Sequence, residues 1–327
     1  MKVLITGGGG FLGYRLGQTL LKKGTLSDAT GNQIPISQIT LFDMAFPENI
    51  DTRFRCTKGN ITDKASVENA LNGGADAIFH LASVVSGGAE ADFDLGMRVN
   101  IDGTRGLLEA CRKQATLPRF MFTSSLAAFG GELPDILDDD TTPNPQSSYG
   151  TQKVCCEYLI GDYSRKGFID GRTIRLPTIS VRPGKPNLAA SSFASGIIRE
   201  PLNGMATVCP VGRESAMWLL SPGKAVEALI HAHELPPSAW GVKRVLNVPG
   251  CTAVIGDMID TLRRIAGDKV ADLIQMQPDP RVQAIVLSWP TRFKTERAEK
   301  LGFSGDKDAE SLIRGYIEDQ GIKVPQN

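Results

Sequence analysis

The chain has 327 residues, enough for one large domain or two unequal ones, and a hydrophobic content of 41% supports a sizeable core. With 36 basic residues against 36 acidic ones there is no basic surplus of the kind nucleic acid needs, so nucleic acid is excluded as a main partner. No apolar run approaches the roughly 20 residues of a membrane span, and the six cysteines form no CxxC pair and no metal-ligand spacing, so no membrane, no metal and a reducing, cytoplasmic setting are expected.

Lys2 to Thr6 is a short β-branched run that reads as a buried strand. It opens the sequence, so no signal peptide is expected. Glycines follow at 7, 10 and 13, and an amphipathic stretch from Tyr14 to Lys23 puts Leu16, Leu20 and Leu21 at helical spacing. Strand, glycine turn and helix in that order make a pyrophosphate cradle. Gly7 allows the tight turn, Gly10 lets backbone approach the phosphates and Gly13 lets helix and strand pack closely. The exposed N–H groups around Phe11 and Leu12, together with the helix dipole, then attract the phosphates.

Gly24 to Gln38 is polar and glycine-containing and reads as an inserted loop. Ile39 to Phe42 is the next strand, ending at Asp43. An acidic residue there accepts from an adenosine ribose, favouring the free 2′-hydroxyl of NAD over the phosphate of NADP. The insertion explains why Asp43 lies further from the glycines than the usual roughly 20 residues. Phe54 to Cys56 is a third strand, followed by the Asn60-Ile61-Thr62-Asp63 turn and a helix presenting Val67, Ala70 and Leu71. Ala75 to Leu81 is a fourth strand entering Ala82-Ser83, with His80 as a core histidine. Met97 to Arg112 reads as one long helix bearing Asn100. Phe120 to Ser125 is a fifth strand. Tyr149 and Lys153, four apart on the helix opened by Ser147-Ser148, share a face, so an ammonium stands beside a phenol and lowers its pKa toward what a general base needs. Strands alternating with helices give a doubly wound parallel sheet.

Thr173 to Leu176 is a sixth strand, and Pro177 forces a turn. The loop beyond it holds Thr178, Arg182, Lys185, Asn187, Ser191 and Ser192, a set that suits a small polyhydroxylated anion whose carboxylate an arginine grips through two parallel N–H bonds. Trp218 and Trp289 are expected to pack under the substrate cleft. His231 and His233 do not share a helix face and are poor joint metal ligands. The expected division is 1–176 as the cofactor domain and 177–327 as mainly a substrate lobe, with some segments returning to the sheet.

The GxxGxxG pattern, the HLA-type fourth strand, the Ser124-Ser125…Gly130 segment and the Tyr149–Lys153 box occur in one order along the chain. Together they resemble the extended branch of the short-chain dehydrogenase/reductase superfamily. That resemblance implies an α/β Rossmann fold, a doubly wound parallel sheet with a smaller C-terminal α/β substrate lobe, and NAD as cofactor. It implies Tyr149 as acid/base, Lys153 as its activator and as holder of the nicotinamide ribose, Ser125 (in preference to Ser124) on the reacting oxygen, and Asn100 as support for Lys153 through backbone and a water. Asn60 and Ile61 fall at the adenine position, where the branch usually has an aspartate first. Leu81, Ala82, Ser83 and Pro177 line the cofactor. Ser125, Tyr149, Thr178, Arg182, Asn187 and Ser191 face the substrate. A homodimer through two helices per subunit is a class-level expectation. Dehydratases of this branch carry an Asp-Glu pair where this chain has Leu126 and Ala127, so elimination is not expected. The RLPTISVRPGKP and SSFASGIIREPLNG segments resemble the group that oxidises the C2 hydroxyl of D-erythronate, a four-carbon sugar acid, to the 2-oxo acid. A nucleotide-sugar 4-epimerase is the alternative enzyme, and a non-enzymatic NAD-binding regulator the alternative of another class.

Overall fold

The computed structural model describes residues 1–184 and 188–324. Its residues fall into two compact units, each assembled from three stretches of chain. The first is Met1–Ser125, Ser148–Arg175 and Val226–Leu246; the second is Leu126–Ser147, Leu176–Ala225 and Asn247–Asn327.

The first unit begins with strand β1 (Lys2–Thr6), whose Val3, Leu4 and Ile5 are buried, and helix α1 (Phe11–Lys23), which buries Leu16 and Leu20. The stretch expected as an open loop folds instead into a hairpin, β2 (Thr25–Ser27) and β3 (Gln33–Pro35), with Leu26 opposite Ile34. Asp28 closes its turn by accepting from the Thr30 and Asn32 N–H groups at 2.8 and 3.0 Å. Two three-residue strands, each with one central aliphatic residue, Leu26 and Ile34, leave no period to read. Strands β4 (Gln38–Asp43) and β5 (Arg55–Lys58) follow, then α2 (Lys64–Ala70), capped by the Asp63 carboxylate, and β6 (Ala77–His80). Short helices α3 (Ser86–Ala91) and α4 (Phe93–Gly96) lead into a π-helical turn, Met97–Asp102, and α5 (Gly103–Arg112). The single helix expected from Met97 is therefore widened over its first six residues, a device frequent at functional sites. Strand β7 (Arg119–Ser125), helix α6 (Ser148–Arg165) and strand β8 (Asp170–Leu176) complete this stretch.

The second unit contributes β9 (Thr178–Ile179), α7 (Ser192–Leu202), β10 (Thr207–Cys209) and β11 (Ala216–Leu220). Helix α8 (Pro222–Glu234) leads back to the first unit, where α9 (Pro237–Trp240) and β12 (Val245–Asn247) follow. The chain ends with β13 (Cys251–Val254), α10 (Ile255–Ala266), α11 (Asp268–Ala271), β14 (Ile274–Met276), α12 (Pro280–Val286), α13 (Glu296–Lys300) and α14 (Ala309–Gln320).

The fold is α/β. Its main sheet has seven strands in the order β12-β8-β7-β6-β1-β4-β5, with β1 parallel to both β4 and β6. The chain winds outward from β1 in both directions, the doubly wound arrangement that places the ends of the strands around a crevice. In the second unit β9, β11 and β13 form one small sheet and β10 and β14 another, and Ile197, Leu219, Met258, Leu262 and Ile313 share its core. No described helix is long and apolar enough to cross a membrane.

Two buried arginines tie the far edge of the main sheet. Arg172 on β8 donates to the carbonyls of Ala232, His233 and Leu235 at 2.6 to 2.8 Å, closing the end of α8. Arg119 on β7 donates to His233 O and, in the inserted hairpin, to Ser27 O at 2.8 Å. Asp170 is the counterion of both.

Candidate active site

The glycine turn is fixed by exclusion. Gly7 has φ of +70°, and a β-carbon on it would lie 2.8 Å from the Ala82 nitrogen. A β-carbon on Gly13 would lie 2.2 Å from the Gly7 carbonyl oxygen, and one on Gly9 would lie 1.9 Å from that of Ala45. Gly9 was not singled out from sequence; its signal was the unbroken run of four glycines. A β-carbon on Gly10 would meet only the Gly7 oxygen, at 3.2 Å, so its outer side is open. No side chain caps α1, which leaves the first-turn N–H groups of Phe11, Leu12 and Gly13 as donors for a phosphate. The hairpin does not displace Asp43: its Oδ2 accepts from Gly9 N–H at 3.0 Å and its Oδ1 from Met44 N–H at 2.7 Å. A carboxylate has about four lone-pair sites, so acceptor capacity remains for ribose hydroxyls. These residues fit a dinucleotide.

Further along the rim, Asn60 is exposed and its amide oxygen accepts from Thr62 N–H at 3.0 Å. Ile61 is a buried core residue packed under Gly103, so its backbone is what it offers an adenine. Leu81 N–H donates to Thr6 O, and Ala82 N–H lies 3.3 Å from the Thr6 hydroxyl, which brings the Leu81-Ala82-Ser83 backbone beside the glycine turn. His80, between them and the core, is bonded on both ring nitrogens, to Thr6 and Thr104 at 2.6 and 2.9 Å. Burial lowers it to about 3, so it is neutral and structural.

Helix α6 presents Tyr149 and Lys153 one turn apart. Lys153 is 2% exposed; its Nζ donates to Thr123 O at 2.9 Å and sits 4.7 Å from the Phe122 ring centre and 5.4 Å from that of Tyr149. Burial lowers it to about 8, while Cys156 and Glu157 act in the opposite direction. Ser125 ends β7 half-buried. Ser124, facing the other way as strand neighbours do, is buried and its hydroxyl donates to Glu157 at 2.5 Å. Asn100 lies in the π turn. Its Oδ1 accepts from Val84 N–H and Ser83 Oγ, and its Nδ2 donates to Val84 O and to Gln152 Oε1 at 2.7 Å. Its carbonyl accepts from Thr104 Oγ1 and Cys156 Sγ. Asn100 thus laces the loop after β6 to α6, and Val84, Gln152 and Glu157 join the residues that sequence spacing did not single out.

In the second unit Pro177 is buried against Gly250. Thr178 lies in a small crevice with Leu126, Trp218, Trp289 and Thr291, and Trp218 packs on Phe293 at 5.3 Å. Arg182 is held at its backbone: its N–H donates to Ser195 Oγ at 3.0 Å and its carbonyl accepts from Arg199 at 2.7 Å. Ser191 is buried just before α7. Asn187 and Lys185 lie outside the described residues. Among the described residues no group of His, Cys, Asp and Glu has a metal-binding arrangement.

The sequence matches the family model described as NAD dependent epimerase/dehydratase family over residues 3–238. It is 53% identical to D-erythronate dehydrogenase of Cupriavidus necator, over 98% of this chain and 99% of that protein, and 46% identical to D-erythronate dehydrogenase of Haemophilus influenzae, over 97% and 99%. Among solved structures, one described as the nucleoside-diphosphate-sugar epimerase from Agrobacterium tumefaciens superposes with a TM-score of 0.91 at 40% identity, over 99% of this chain and 96% of that one.

Proposed function

This chain belongs to the NAD dependent epimerase/dehydratase family, in which it is an NAD-dependent dehydrogenase, and we propose that it oxidises the C2 hydroxyl of a small sugar acid, D-erythronate first among them, to the 2-oxo acid. The likeness to two D-erythronate dehydrogenases along nearly the whole chain supports the substrate. The observation that carries the chemistry is the buried Lys153 cation against the Tyr149 ring. A cation held there favours negative charge on the phenol oxygen. Tyr149 then takes the proton of the C2 hydroxyl, and Ser125 donates to the same oxygen as it becomes a carbonyl. NAD, when bound, supplies the acceptor for the hydride that leaves C2. The glycine turn, Phe11, Leu12 and Asp43 bind it; Asn60, Ile61, Leu81, Ala82, Ser83 and Pro177 line it, and Lys153 holds its nicotinamide ribose.

Arg182 meets the substrate carboxylate through paired N–H bonds, with Thr178, Asn187 and Ser191 on the hydroxyls. Asn100 keeps the loop after β6 and helix α6 in register. The enzyme works in the cytoplasm as a homodimer. The likeness to a structure described as a nucleotide-sugar epimerase favours one second reading, 4-epimerisation with the same tyrosine, lysine and serine. Purified protein, NAD and a panel of four- to six-carbon aldonic acids separate the two, with UDP-galactose in a coupled assay for UDP-glucose. NADH formed from D-erythronate, and lost in Tyr149→Phe, supports the dehydrogenase. Conversion of the nucleotide sugar with silence on every acid overturns it.

A further inference from the structure

Helix α6 holds a buried acidic side chain that this chemistry does not use. Glu157 lies one turn beyond Lys153 and is 5% exposed. Its Oε1 accepts from Ser124 Oγ at 2.5 Å and from Arg175 Nε at 2.9 Å, and its Oε2 from Arg175 Nη2 at 2.6 Å. Ser124 is on β7, directly before Ser125, and Arg175 is on β8. One turn earlier Lys153 holds Thr123 by its carbonyl. Two successive turns of α6 therefore grip two successive residues of β7. Tyr149 lies one turn before Lys153 on that helix and Ser125 one residue after Ser124 on that strand, so sliding either element breaks both ties.

A buried ion pair adds little stability over apolar residues of the same volume, because desolvation offsets the attraction. Its presence at this spot points to placement and field. The groups facing Lys153 are Tyr149, Cys156 and Glu157 from its own helix and His80 from β6, with Arg175 on β8 behind Glu157. Burial keeps His80 neutral and pushes the Cys156 thiol up to about 11, which leaves the Arg175-paired carboxylate of Glu157 as the acidic partner that supports the Lys153 charge.

We infer that Ser124, Glu157 and Arg175 form a positioning network that sets where Tyr149 and Lys153 stand relative to Ser125. The inference rests on the roles proposed above for those three residues, and not on which acid is oxidised.

Two variants test it. Glu157→Gln keeps the shape and removes the charge; Arg175→Met removes the guanidinium and leaves the carboxylate. NADH affinity is titrated by fluorescence across pH, and kcat and KM are measured on whichever alcohol the wild type oxidises. In the wild type, NADH affinity is expected to fall as pH rises and Lys153, which burial lowers to about 8, loses its proton. That fall moves to lower pH in Glu157→Gln, where an anion is lost beside Lys153, and to higher pH in Arg175→Met, where a cation is lost. Affinity at neutral pH stays near that of the wild type, and kcat drops about tenfold to a hundredfold, the cost of misplacing reacting groups by a fraction of an ångström to an ångström. A merely structural pair would lower melting temperature and move neither profile. Unshifted profiles with wild-type kcat overturn the inference. If Arg175→Met does not fold, the direction of shift in Glu157→Gln decides alone. The NADH titration needs no substrate, so a wild type silent on every acid would sink the sugar-acid reading and leave this test standing.

Discussion

A β-carbon on Gly13 would lie 2.2 Å from the Gly7 carbonyl oxygen; one on Gly184, in the segment after β8, meets nothing within 4 Å. The glycine turn is made of backbone packed on backbone, with Asp43 reaching in to hold Gly9 N–H. The segment from Leu176 to Gly184 is anchored differently, through side chains of α7: Ser195 and Arg199 pin the backbone of Arg182, and Glu200 holds the Arg199 guanidinium through two bonds of 2.6 and 2.7 Å. The first region has almost no freedom in residue type. The second is fixed by side chains that another sequence could replace in kind, which is how one fold serves many substrates.

Four substitutions would break or sharpen this contrast, starting with the largest effect. Gly13→Val drives side-chain atoms into the Gly7 carbonyl and is expected to abolish NAD binding, or to leave no folded protein, in a fluorescence titration and a melting curve. Tyr149→Phe keeps the backbone cradle and is expected to lower kcat about 10²- to 10⁴-fold while NADH still binds. Asp43→Ala removes a charged acceptor and should weaken NAD by roughly 10- to 100-fold, in line with about 1.5–3 kcal/mol for a hydrogen bond to a charged group, and narrow the preference over NADP. Arg182→Lys, which loses the paired geometry but keeps the charge, should raise KM for the acid by about tenfold, one charge-assisted bond being worth about 1.5 kcal/mol, and leave NAD affinity unchanged. An Arg182→Lys variant that loses NAD instead would show that the second region is no freer than the first.

The same contrast governs what the sequence disclosed. The succession of strands and helices along the chain, the glycine turn, Asp43 and the facing of Tyr149 and Lys153 follow from apolar runs, helical spacing and glycine spacing, all local signals. The hairpin at Thr25–Pro35 reads as a loop in sequence because its strands are three residues long and its one firm anchor, Leu26, is a single apolar residue. The widening of the helix around Asn100 depends on partners at Val84 and Gln152, far away in sequence. Nothing near Glu157 in sequence marks it, since its partners Ser124 and Arg175 come from two other elements. Local periodicity disclosed the elements; contacts between elements wired the site, and those have no period.

The strand at the rim of the main sheet has a consequence for how the chain is made. β12 is supplied by Val245–Asn247, and Arg172 and Arg119 spend their guanidinium groups on carbonyls of Ala232, His233 and Leu235. On the ribosome, a chain grown to residue 175 has β8 bare along one side, and Arg172 lacks its three carbonyl acceptors until some sixty residues later. An unprotected strand of that kind is a template for a second nascent copy. Ribosome stalling between residues 180 and 230 should therefore yield aggregates or chaperone-bound chains, while release of the arrested chain past residue 250 should restore a protease-resistant core.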